Sequence, residues 1–102
     1  MKPMLWAIVL LAATGAVQAQ DAKALQAASL AASCTACHGT EGRALPGGAV
    51  PGLAGQPAAT LAEQMRAFKT GGRTGSVMPQ IAKGYNDAQI EQLAAWFGAQ
   101  KK

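Results

Sequence analysis

The sequence predicts a small all-α fold: three main helices joined by long irregular loops, gathered around something other than the chain's own side chains. Three observations carry this. Apolar residues recur at helical spacing in three segments, and no run alternates convincingly in the manner of a strand. Two glycine-rich connectors, 39–55 (with six glycines and two prolines) and 71–85, are too long to stay ordered in a compact domain unless something holds them. The hydrophobic half of the 102 residues is largely alanine, with only five aromatic side chains. A chain of this size buries little apolar area and needs a staple: a metal, a disulfide or a cofactor.

The elements follow in order. Lys2 gives a positive start, "LWAIVLLAATGAV" (5–17) is an apolar run of thirteen, and "VQA" (17–19) puts small residues where a signal peptidase reads. This is the three-part form of a secretory signal, too short to span a bilayer comfortably. The alternatives are a buried N-terminal helix or an uncleaved anchor, and only the anchor would tie the chain to a membrane. Cleavage after Ala19 divides the chain into a signal, 1–19, and one domain, 20–102. It also places the mature protein outside the cytoplasm, most simply in a bacterial periplasm. The first helix is expected over 22–33, with Leu25, Ala28 and Ala32 on one face. The second, 57–69, opens with Pro57 in its first turn and stops at "TGG", with Leu61, Met65 and Phe68 at helical spacing. The third, 86–100, starts with an Asn86 cap and Gln89 three residues on, followed by the stripe Ile90, Leu93, Ala94 and Phe97.

Loss of Lys2 with the signal lowers the formal charge from +4 to +3, with no basic stripe. That argues against a nucleic-acid partner and leaves room for weak steering toward an acidic protein.

The chain's only two cysteines and only histidine fall together in "SCTACHG" (33–39). Four chemistries compete for them. A Cys34–Cys37 disulfide suits an exported chain but closes a loop too short to order anything distant. A thiol–disulfide oxidoreductase expects a neighbouring parallel sheet, and there are no strands. Zinc wants four ligands where only three soft side chains exist. Covalent haem attachment uses all three: the cysteines add across the two vinyl groups of one haem, and the next residue, His38, falls beneath the ring to reach the iron. This last reading explains the spacing and the missing staple together. It implies an apoprotein with little stable tertiary structure, since binding energy becomes folding energy.

The other face of the iron then decides the chemistry. The mature chain offers Met65 and Met78. Met65 lies on the apolar stripe of the second helix, where methionine usually fills core. Met78 lies in a glycine-rich loop with Pro79 behind it and has no packing reason to be there, so it is the expected distal ligand, with Met65 as the substitute. His/Met ligation favours ferrous iron and closes both axial positions, which points to single-electron relay. An unbound Met78 would instead leave an open iron suited to ligand binding or catalysis. His38 needs an acceptor for its other ring N–H, and the carbonyl of Pro51 in "VPGLAGQ" (50–56) is the candidate; the alternative is that Pro51 only stiffens the loop.

Cys34–His38, "PGLAG", "VMP" and the terminal "LAAWF" resemble the class I cytochrome c family over essentially the whole mature chain. The resemblance implies a small all-α fold with one haem c in a crevice and crossed N- and C-terminal helices. It implies that Leu93, Trp96 and Phe97 pack on the first helix, and that electrons pass at the haem edge near Cys34 and Cys37. "PGLAGQPAATLAEQMRAFKTGGRT" is similar to one domain of dihaem periplasmic cytochromes that feed terminal oxidases. "MPQIAKGYNDAQIEQLAAWF" is similar to the cytochrome subunit of flavocytochrome c sulfide dehydrogenase, whose electron donor is a flavoprotein. The single attachment motif departs from the dihaem members of both. The implied partners are a redox donor and acceptor, reached as an enzyme subunit or a free shuttle. Tyr85 is a candidate donor to a haem propionate or a cap for the last helix. Arg66, Lys69, Arg73 and Lys83 could ring the exposed haem edge, or be ordinary solvated charge.

Overall fold

Helix α1 runs over 21–38 and carries the entire Cys34–His38 motif. The structure, a computed structural model, describes residues 21–102; the expected signal segment and Gln20 lie outside the described residues. The sequence pattern alone predicts an end to this helix at Ser33. Its stop is Gly39 instead, at φ 92°, whose N–H closes the last turn on the Thr35 carbonyl at 3.0 Å. A side chain at Gly39 would strike the Arg43 carbonyl, 1.8 Å from an ideal Cβ, so only glycine can reverse the chain there. Cysteine and threonine are weak helix formers, but packing outweighs a few tenths of a kcal/mol per residue, roughly, of propensity. The buried face is also not the expected one. Leu25 is 69% exposed, while Ala31 and His38 are buried and Leu30 and Cys34 pack against the core.

A 3-10 turn, Thr40–Gly42, follows, and its geometry closes the first long loop. The Gly42 carbonyl accepts from the N–H of Leu53 (2.7 Å) and Ala54 (3.1 Å), pinching the loop at its base. Gly55 N–H then donates to the Phe97 carbonyl at 3.0 Å, which fastens the same loop to the last helix.

Helix α2 is Ala58–Thr70. Pro57 is its cap position rather than a first-turn residue, and the left-handed Gly71 (φ 86°) ends it. Helix α3, Met78–Ala82, lies inside what the sequence reads as loop; Pro79 in its first turn is the start signal. Helix α4, Asp87–Gly98, opens with the expected reciprocal cap between Asn86 and Gln89. No strand occurs among the described residues.

One core cluster unites Ala31 of α1, Leu61 and Ala62 of α2, and Ile90, Leu93, Ala94 and Phe97 of α4. The predicted stripe of α4 is therefore its buried face, and it shares a core with α1. Each large apolar side chain buried there contributes about 1.5–3 kcal/mol.

Gly42 is where turn, loop and core meet. It is buried at φ 80°, and an ideal Cβ would lie 2.6 Å from Phe97 Cδ1. Gly42→Ala should therefore destabilise the haem-loaded protein by about 2 kcal/mol or more in denaturant melts. Gly47→Ala, at φ 72° with nothing within 4 Å, should cost only about 1 kcal/mol of backbone strain. Equal losses at the two positions would contradict this packing.

Candidate haem-attachment site

Because α1 continues through the motif, Cys34, Cys37 and His38 occupy positions i, i+3 and i+4 of one helix, within a sector of roughly 100°. Cys37 is exposed, Cys34 is half-buried and His38 is 8% exposed. Burial pushes the Cys34 thiol above its ordinary range; the Ser33 hydrogen bond opposes this and the neighbouring Cys37 adds to it. Cys34 is thus held as the thiol, the weakly nucleophilic form.

His38 is the only buried polar side chain among the described residues. Its Nδ1 lies 2.7 Å from the Pro51 carbonyl oxygen. A carbonyl can only accept, so Nδ1 carries a proton, and in the neutral ring Nε2 then keeps its lone pair. That is the tautomer a metal-bound imidazole requires. The Pro51 carbonyl is held in place by the pinched loop, within which Gln56 Nε2 donates to the Gly52 carbonyl. The loop's apolar side chains Leu45 and Val50 stay exposed.

The two methionines have different settings. Met65 is half-buried on α2 and packs against the core cluster. Met78 is the first residue of α3, half-buried, after the turn in which Gly75 passes close to the Phe68 ring and Pro79.

The four cations near Met78 in sequence behave unequally. Arg66 pairs with Glu91 and lies 4.0 Å from Asp87, Lys69 Nζ donates to the Tyr85 carbonyl at 2.6 Å, and Arg73 sits 4.7 Å over the Phe68 ring. Lys83 makes no ion pair with a described residue. Three of the four are therefore occupied within the chain. Tyr85 neither caps α4 nor stays free: its hydroxyl is 3.1 Å from Ser33 Oγ. That contact joins residues 52 apart, and no local pattern announces it.

Two thiols and a correctly protonated imidazole on one helix face fit a covalently attached haem. The comparisons agree. A family model described as cytochrome C oxidase, cbb3-type, subunit III matches residues 18–97. Over 71 residues the chain is 44% identical to a thiosulfate dehydrogenase electron acceptor of Thiomonas intermedia, covering 70% of this chain and 33% of that protein. It is 36% identical over 69 residues to the cytochrome subunit of sulfide dehydrogenase of Chlorobaculum tepidum, covering 68% and 61%. It is 36% identical over 72 residues to cytochrome c-554(548) of Halomonas halodenitrificans, covering 68% and 86%. The chain thus spans a minority of the first relative, about three-fifths of the second and most of the third.

Fold and motif define a small helical c-type cytochrome with haem c as its cofactor. The chain belongs to the cytochrome c family whose matching model is the one described for the cbb3-type oxidase subunit.

Proposed function

We propose that the mature chain, 20–102, is an exported periplasmic carrier that moves single electrons between a sulfur-compound dehydrogenase and a downstream acceptor. When bound, haem c supplies a one-electron Fe(III)/Fe(II) couple. Cys34 and Cys37 Sγ would tether it by thioethers. His38 Nε2 and Met78 Sδ would hold its iron, and the Pro51 carbonyl would orient the imidazole. With every ligand supplied by the protein, the group would exchange one electron with no atom transferred. The observation that carries the reading is the 2.7 Å His38–Pro51 contact at the end of a helix bearing both cysteines.

Met78 is favoured over Met65 because Met65 already packs against the core. Export rests on the three-part segment 1–19, and no helix among the described residues is long and apolar enough to cross a membrane. A sulfur-oxidising donor is supported by the two relatives named for thiosulfate and sulfide dehydrogenases; that it is a flavoprotein rests on the resemblance of the segment 78–97 alone. The oxidase description of the family model favours a second reading, a shuttle that delivers electrons to a terminal oxidase.

Met78→Ala should abolish the weak thioether–iron absorption at the red end of the visible spectrum and open the reduced protein to carbon monoxide. Unchanged carbon monoxide affinity would remove Met78 from the site. Affinity purification of the native chain from its host should bring down a flavoprotein dehydrogenase. Recovery of oxidase subunits without a dehydrogenase would favour the shuttle.

A further inference from the structure

We infer that Tyr85 is a positioning residue for the Met78 side of the haem site, its hydroxyl strapping the α3–α4 turn to the cysteine-bearing end of α1. The inference rests on the proposed Met78 ligation. Tyr85 is held at three points. Its N–H donates to the Ala82 carbonyl, the last residue of α3, at 3.2 Å. Its carbonyl accepts from Lys69 Nζ of α2 at 2.6 Å. Its hydroxyl is hydrogen-bonded to Ser33 Oγ at 3.1 Å.

The two ends of this strap matter. Ser33 precedes Cys34, the first tether. Ala82 closes the five-residue helix that Met78 opens. A helix of five residues has no stability of its own and keeps its place only through what it is fastened to. Packing on α2 fastens α3 to the body of the protein. Among the side-chain hydrogen bonds of the described residues, only Tyr85–Ser33 joins the α3–α4 turn to α1. It therefore links the end of α1 that would hold the haem through Cys34, Cys37 and His38 with the segment that would bring Met78 to it.

Tyr85→Phe makes a clean probe. The ring is half-buried against the core cluster, so phenylalanine keeps the packing and removes only the hydroxyl. The Lys69 bond is to the backbone and survives. Solvent reaches the Ser33–Tyr85 pair, so its loss is worth a modest fold-change.

The test is titration of the ferric, haem-loaded mature protein with imidazole, which competes with the thioether, far below the unfolding midpoint. Tyr85→Phe and Ser33→Ala should each raise imidazole affinity about three- to tenfold and weaken the red thioether–iron absorption. The double variant should go no further than either single one, since both remove the same bond. Ser33→Thr, which restores a hydroxyl, should return the affinity to that of the parent. Met78→Ala is the control and should raise affinity well beyond any of these. If Met78→Ala opens the site and Tyr85→Phe does not, the strap is refuted and Met78 ligation stands. Additive effects in the double variant also refute the strap. If Met78→Ala has no effect, the ligation and the strap fall together.

Discussion

A buried imidazole with one available acceptor sets the terms for the rest of this protein. His38 has almost no access to water, and leaving its N–H unpaired would cost about 1–3 kcal/mol. The Pro51 carbonyl meets that demand and in doing so chooses the tautomer. The lone pair left on Nε2 is what would let the side chain hold a metal rather than serve as a core polar group. A carbonyl acceptor is neutral, so it orients the ring without adding charge beside it. Proline also has no N–H, so its peptide nitrogen makes no competing demand on the fold.

Much of the surrounding backbone serves to deliver that one oxygen. Gly39 turns the chain sharply after His38, and Gly42 brings it back against Phe97. The Gly42 carbonyl then clamps Leu53 and Ala54, two and three residues beyond Pro51. The Gly55 bond to Phe97 anchors the same stretch on α4. The glycine-rich loop is thus short-circuited at its base rather than left open. The surface around Met78, by contrast, is poorly provided with free charge. Arg66, Lys69 and Arg73 are committed to Glu91, Tyr85 and Phe68. Of the four cations near Met78, Lys83 alone has no such partner among the described residues, and exposed ion pairs are worth only about 0–1 kcal/mol each.

The parts legible in the sequence were those written in scarce or conformationally special residues. Two cysteines and a histidine in fixed register announce their chemistry, and Asn86 with Gln89 announces a helix start. The stripe of α4 could be read because twelve residues give periodicity room to show. The first helix was read too short, and on the wrong face, because alanine is apolar on every side. An alanine-rich run has no contrast, and its buried face is chosen by what it meets. Helix α3 is too short for any period, although Pro79 carried its start signal. Contacts across long separations, Ser33 with Tyr85 and Arg66 with Glu91, left no local trace because tertiary packing alone brings the partners together.

The most direct test of the account is NMR observation of the His38 ring in the reduced, haem-loaded protein. The structure predicts a slowly exchanging proton on Nδ1, coupled through its hydrogen bond to the Pro51 carbonyl carbon, and no proton on Nε2. A rapidly exchanging Nδ1 proton without that coupling, or a proton found on Nε2, would contradict it.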